Sequence, residues 1–489
     1  MRRAVLLAAA AVLLAGPTVL AFFAGGYFDG PRFAATITAW LLVLVAALMA
    51  PRPLPVSVAG RVALGGLALI TAWTGASLAW APLSEAATDN LVRMLMYLGA
   101  FIAAAALLRD RGVSAATEPA LALGAVVVIG YGLAGRLLPG IVEQTESNMA
   151  FGRLDQPLTY WNAEGTVAAV GLVLCARLAG SVSRPPAVRA FAAAACAPLG
   201  QGLYLSYSRG AIAACAVGLL VLLAASPTRP QLRAIGIAAA AGVAAAIAGE
   251  AFSGVALLEG DLARRETQGA IVLAILAAIA LAAAWAQARG SRGEHAGEAK
   301  RLGLAARLPA LAAAAAGLCL VGLVAVGLGE QGSADEVAER TGLSRLASAD
   351  SRRYDYWRVG LDAFAENPLG GVGSGGFRVE WVRERPVDEA AREVHSLPLE
   401  MAAELGLAGL IGLGLLVGGV AVAGRRAQRG GSALAPGAFA ALAVWGIHAC
   451  IDWDWQMPAA TLPAILLAAA LVAASESPPP SASQAGSAA

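Results

Sequence analysis

The chain has 489 residues, of which 58% are hydrophobic and only 14% charged, and its mean hydropathy is +0.68. A soluble domain is nearer about 45–50% apolar and about 25% charged, so a soluble globular enzyme is excluded. A formal charge of +2 supplies no basic field to recruit nucleic acid.

Apolar runs long enough to cross a bilayer, about 17–25 residues each, recur from end to end. In chain order they fall near 4–23, 33–50, 62–81, 91–108, 118–137, 162–180, 189–206, 210–226, 233–249, 268–288, 307–328, 402–424, 435–451 and 458–475. The predicted fold is therefore all-α: a polytopic membrane bundle of about 12–14 transmembrane helices, with one long exocytoplasmic loop bearing short amphipathic helices. Retention of arginine in cytoplasmic loops places the N-terminus inside, because Arg52, Arg61, Arg109, Arg111, Arg184, Arg189, Arg229, Arg233, the Arg289 to Arg307 cluster and Arg425, Arg426 and Arg429 then share one side. The expected division is N-terminal membrane helices (1–150), a central set (151–328), the exocytoplasmic loop (329–401), C-terminal membrane helices (402–475) and a disordered cytoplasmic tail (476–489).

A connection as long as 329–401 is usually functional when it carries structure of its own. Tyr354, Trp357, Leu361 and Phe364 recur at helical spacing, which predicts a short helix lying on the membrane surface. Asn367-Pro368 should stop it, and the glycine-rich run Gly370 to Gly376 should turn the chain. The five cysteines, Cys175, Cys196, Cys215, Cys319 and Cys450, lie in apolar stretches without C-x-x-C spacing, and read as small core residues.

Three histidines exist. His295 sits in a polar inner loop. His395 ends the long outer loop just before an apolar helix, where an imidazole could serve proton transfer or simply sit at the interface. His448 precedes Asp452 by four residues, which on a continuous helix puts both on one face. Arg209, within Tyr204-Leu-Ser-Tyr-Ser-Arg-Gly210, lies between two spans with almost no loop to solvate it. An arginine there either pairs with a functional anion, its planar donor fork matching phosphate, or snorkels to headgroups. Arg153 occupies another outer loop ahead of the aromatic pair Tyr160 and Trp161. Gly371 to Gly376 formally matches G-x-G-x-x-G but follows no strand, so it marks no dinucleotide site. Asp452-Trp-Asp454 resembles a paired carboxylate, yet no ligand cluster with metal spacing accompanies it.

Four segments in order resemble the O-antigen ligase and polymerase superfamily of integral membrane glycosyltransferases. They are Arg153 to Asn162 with its Tyr-Trp-Asn; Ser208-Arg-Gly210 opening a span; Arg353 through Trp357 to Pro368-Leu-Gly-Gly-Val-Gly373; and His395-Ser-Leu-Pro-Leu-Glu400 followed by Glu404-Leu-Gly406. The resemblance covers roughly residues 150–475, and many relatives carry Asn where this chain has Ser396.

It implies an O-antigen ligase-type enzyme that moves a glycan from a polyisoprenyl diphosphate lipid to an acceptor hydroxyl on the outer face of the membrane. The acceptor would be a glycan, a lipid or a protein, and neither metal nor other cofactor is implied. By the same resemblance His395 is the base, Arg209 holds the diphosphate with Arg353 and Arg153, and His448, Asp452, Tyr160 and Trp161 are candidates for support. A polysaccharide polymerase or a protein O-oligosaccharyltransferase of the same superfamily, or a flippase outside it, are the alternatives. Glycosyl transfer from a diphosphate needs charge stabilised on the leaving group and a proton taken from the incoming hydroxyl. Arginine and histidine at the outer face suit those two tasks.

Overall fold

A computed structural model describes residues 1–145, 150–292, 294 and 352–476, and among them every element of regular structure is a helix. The helices are α1 (Arg2–Ala21), α2 (Asp29–Met49), α3 (Val58–Ser77), α4 (Ser84–Leu107), α5 (Arg111–Leu137), α6 (Trp161–Gly180), α7 (Pro186–Leu205), α8 (Arg209–Ala225), α9 (Arg229–Glu250), α10 (Ser253–Ala256), α11 (Leu262–Gly290), α12 (Arg353–Glu366), α13 (Phe377–Glu384), α14 (Leu397–Arg429), α15 (Ala435–Ala449) and α16 (Pro458–Ser475). Ten of these are long and apolar enough to cross a membrane, and the shorter α8 and α15 are apolar too, so the protein is a multi-pass membrane protein. The expected span 307–328, His295, Cys319 and the tail beyond Glu476 lie outside the described residues.

Local chemistry sets the helix starts. Ser57, Asp110, Thr228 and Asp261 each turn a side-chain oxygen onto backbone N–H groups of the first turn, which otherwise have no intrahelical partner. At the centre is α6, buried from Asn162 to Gly180. Its run of Ala and Gly lets neighbours approach closely, as small residues do between membrane helices. The same device joins α3 to α14: a Cβ on Gly66 would lie 2.5 Å from the Gly412 carbonyl oxygen.

The connections gather at two ends. At one, Arg109 pairs with Glu476 (2.6 Å) and Glu294 with Arg189 and Arg233 (both 2.8 Å). Glu476, expected to open a disordered tail, instead accepts from the Val56 and Ser57 amides at the start of α3. At the other end, Leu154 N–H donates to the Leu205 carbonyl (2.9 Å) and Ser374 N–H to Ser77 Oγ (3.2 Å). Residues 367–396 fold over this second end.

The loop helix α12 forms and stops at Glu366 as expected. Tyr356, Val359, Gly360 and Ala363 pack inward, beside Phe377, Trp381, Val394 and Ala403. Leu361, on the stripe expected to lie on the membrane surface, is 49% exposed. On the inward face Gly360 allows Val394 to approach closely. Cys175, Cys196 and Cys215 are buried as expected, whereas Cys450 is exposed because α15 has already ended at Ala449.

The glycine-rich turn and the Glu404-Leu-Gly406 segment form one interlocked unit. Gly406 (φ +61°) breaks the α14 ladder. The turn occupies the gap: Val372 N–H donates to the Ala403 carbonyl (2.9 Å), Gly373 N–H to the Glu404 carbonyl (3.0 Å), and Leu407 N–H to the Pro368 carbonyl (2.8 Å). The Glu404 carboxylate accepts from Gly375 N–H (2.7 Å) and Phe377 N–H (3.4 Å). At Gly371 (φ +68°) an added Cβ would lie 2.2 Å from the Glu404 carbonyl carbon. Gly371→Ala is expected to cost about 2 kcal/mol or more from the left-handed backbone and the clash together, read as a lowered melting temperature of the detergent-solubilised protein.

Candidate active site

The site is organised by three consecutive residues, Asp452, Trp453 and Asp454, in the turn between α15 and α16. Asp452 is fully buried and accepts four hydrogen bonds. Tyr160 Oη (2.6 Å) and the Trp453 amide (2.8 Å) donate to Oδ1; Asn162 Nδ2 (2.7 Å) and Arg353 (2.5 Å) donate to Oδ2. Burial by itself would raise this carboxyl, but the Arg353 guanidinium and the Tyr160 hydroxyl hold it below the usual aspartate range.

His448 does not pair with Asp452. Since α15 ends at Ala449, the chain turns before Asp452 and brings Asp454 to His448 instead (2.5 Å). A carboxylate only accepts, so His448 Nδ1–H donates to Asp454, and Nε2 faces the Ser208 hydroxyl at 3.4 Å. Ser208, buried, also caps α8 by accepting from Ala211 N–H. A Cβ on Gly210 would lie 3.2 Å from the His448 ring, so this buried group fixes the turn that carries Arg209. The apparent carboxylate pair is thus split, one member serving Arg353 and the other His448. Among the described residues no group of three or more His, Cys, Asp or Glu side chains could hold a metal ion.

Trp453 joins the two halves. Its ring lies 4.3 Å from that of Tyr160, 5.6 Å from Tyr27 and 6.4 Å, edge on, from the His395 imidazole. His395 has φ +57°, a left-handed backbone uncommon for a residue with a side chain and a mark of functional geometry. Its ring stacks on Tyr356 (4.9 Å) and Trp357 Nε1–H donates to its carbonyl (3.3 Å). Because a carbonyl oxygen only accepts, the 2.9 Å contact from Nδ1 to the Glu393 carbonyl puts the ring proton on Nδ1 and leaves a lone pair on Nε2. Burial lowers this imidazole below the ordinary histidine value, with Asp452 acting against that and Arg353 with it, so the ring is neutral at physiological pH.

Arg153 is 6% exposed, and its guanidinium lies 4.0 Å over the Trp161 ring, which packs 5.0 Å from Tyr160. It borders a cavity of about 320 Å3 that Arg136 and Arg265 also line. Residues 452–454 thus tie together Tyr160, Arg353, His448 and His395, with Trp161 and Arg153 reached through Tyr160 and Arg209 carried on the turn beside His448. Sequence reasoning missed Asn162 and Thr166 as site members, although their i, i+4 spacing on α6 carried the signal: the first holds Asp452 and the second contacts His448 Nδ1 (2.9 Å). Trp453 and Glu393 gave no local signal, since they act through a ring edge and a backbone carbonyl.

No curated protein matches the chain. A family model described as O-antigen ligase matches residues 254–414, a narrower stretch than the resemblance, which takes in α12, the glycine-rich turn, His395 and Glu404 but neither Arg209 nor Asp452. Over that segment the chain is similar to the O-antigen ligase family.

Proposed function

We propose that the protein is a glycosyltransferase that moves a glycan from a polyisoprenyl diphosphate lipid to an acceptor hydroxyl, with His395 as the base. The observation that carries this reading is the fixed tautomer of His395. Its Nδ1 proton is committed to the Glu393 carbonyl, so Nε2 is the atom that takes the proton from the incoming hydroxyl. As that oxygen bonds to the anomeric carbon, the bond from this carbon to the diphosphate breaks. The leaving charge falls to Arg209, positioned by Ser208 and His448, and to Arg353, positioned by Asp452. Arg153, on the side of the smaller cavity, completes the donor side.

The arginine-rich end, with Arg109, Arg184, Arg189, Arg233, Arg426 and Arg429, faces the cytoplasm of a cell membrane in this reading. The His395 end then faces outward, where a lipid-linked glycan is presented. Transfer to a lipid-anchored saccharide is the ligase reading. A growing chain as acceptor would make it a polymerase.

Arg209→Ala is expected to lower glycan transfer about 100-fold or more, the scale of losing one charge-stabilising donor set in a water-poor site. The check is a deletion strain complemented with this variant, scored for surface glycan and for the lipid-linked precursor. Surface glycan should fall while the precursor accumulates on the outer face. An unchanged profile with normally inserted protein overturns the assignment, and a precursor retained on the cytoplasmic face points to transport instead.

A further inference from the structure

A cavity of about 560 Å3 lies between α2, the first half of α4 and residues 378–393, within the range of small-molecule sites, about 300–1,000 Å3. Its wall reaches His395 by two routes. Tyr27 in the lining packs against Trp453, whose edge meets the His395 imidazole. Glu393, also in the lining, supplies the carbonyl that holds His395 Nδ1. The cavity therefore lies beside the base, with Tyr27 and Trp453 on one route and Glu393 on the other between them.

Most of the charge in the lining is already matched. Arg32 pairs with Asp29 (2.5 Å) and Asp89 (2.7 Å), and Arg378 faces Glu393 (3.9 Å). Arg93 differs. It is 3% exposed, its Nη2 donates only to the neutral Asn90 amide oxygen (2.6 Å), and its Nε has no hydrogen-bond partner. Glu393, Glu400 and Glu404 act on Arg93 electrostatically but do not bond to it: Glu400 accepts from Gln456 and Glu404 from the Gly375 and Phe377 amides. Among the described residues Arg93 forms no ion pair. A buried donor without an acceptor is costly, so in the wall of a cavity the Arg93 Nε–H is open to an anionic acceptor carried by a ligand.

We propose that this cavity is the acceptor subsite: it takes a saccharide bearing an acidic group, a phosphate or a carboxylate, which Arg93 binds, and so presents a sugar hydroxyl to His395. Carboxylates and guanidiniums around Tyr27 and Phe28 suit the hydroxyls and the apolar face of a sugar ring. The inference rests on His395 being the base. The hydroxyl proton passes to Nε2, the acceptor oxygen bonds to the donor's anomeric carbon, and the lipid diphosphate departs with the electron pair of the broken bond. Tyr27, Arg32, Asn90 and Arg93 all lie outside residues 254–414, so the N-terminal helices contribute to acceptor choice beside Arg378 and Glu393 of the matched segment.

The test uses the full-length protein in lipid nanodiscs, with glucose 1-phosphate, glucuronic acid, glucose and inorganic phosphate as probes in ligand-observed NMR. At least one acidic sugar should bind, glucose should not, and inorganic phosphate should bind at least about tenfold more weakly than the acidic sugar. Arg93→Gln should weaken acidic-sugar binding about tenfold or more, with Arg93→Lys between the two because it keeps the charge without the fork. Should Arg93→Gln not fold, the wild-type protein must still gain melting temperature from the acidic sugar and not from glucose. Absence of acidic-sugar binding, or binding indifferent to Arg93, overturns the proposal; inorganic phosphate binding equally well reduces the cavity to a simple anion site and overturns it also. His395→Ala should bind the acidic sugar like the wild type. If that variant still transfers glycan, the base assignment fails while the binding result stands by itself.

Discussion

His395→Ala is expected to reduce glycan transfer by about 100- to 10,000-fold, the range that a positioned base contributes, with the protein still inserted at its normal level. Insertion should survive because the apolar helices are untouched and the imidazole contributes one ring face against Tyr356. The pH profile sharpens the test. The lowered histidine means the neutral form is favoured in the folded protein, so transfer should be flat near neutrality and fall as pH drops through a midpoint below 6.5, where Nε2 takes up a proton and its lone pair is lost. The residual rate of His395→Ala should lose that acid limb. Transfer undiminished in the variant, or a wild-type rate rising toward acid, would sink the role.

Asp452→Asn should be the most damaging single change for stability at the site. The amide keeps the carboxylate's shape but turns an N–H toward groups that donate, either Tyr160 and the Trp453 amide or Asn162 and Arg353. It also removes the negative charge that faces the Arg353 guanidinium. The expected cost is about 3 kcal/mol, together with a loss of transfer because Arg353 is no longer aimed. Thermal unfolding of the solubilised protein measures the first. A double-mutant cycle with Arg353→Met separates coupling from general damage: the pair of changes should cost clearly less than the sum of the singles. Strict additivity would show that the ion pair is incidental.

The membrane helices were legible because a bilayer imposes length and apolarity on each segment separately, and the expected apolar runs fall on helices from α1 to α16 wherever the chain is described. His395 and Arg209 were legible as polar groups stranded next to apolar runs. What a single sequence hides is pairing across distance. The four-residue spacing of His448 and Asp452 was a sound helical argument, and it failed because the last turn of α15 ends one residue after His448, which hands that histidine to Asp454 and frees Asp452 for Tyr160, Asn162 and Arg353. On α12 the stripe of Tyr354, Trp357, Leu361 and Phe364 was legible from its spacing, while the second face that Gly360 opens to Val394 was not. Arg93 escaped notice because its span reads as ordinary hydropathy until the fold places it beside a cavity.

The glycine-rich turn touches both ends of the chain. Gly373 and Gly375 lie so close to Ala81 and Ala86 that a Cβ on either would meet them at 2.6–2.7 Å, Asn90 Nδ2 donates to Ser374 Oγ, and the same turn is bonded to residues 403–407. Chains are made from the N-terminus at about 5–20 residues per second, so the turn cannot be seated when it is synthesised. Its later partner, the break in α14, does not yet exist. A ribosome-bound or truncated chain ending before Gly406 therefore holds His395 on an unfastened segment. Completion of the C-terminal helices is then the step that fastens the segment carrying His395.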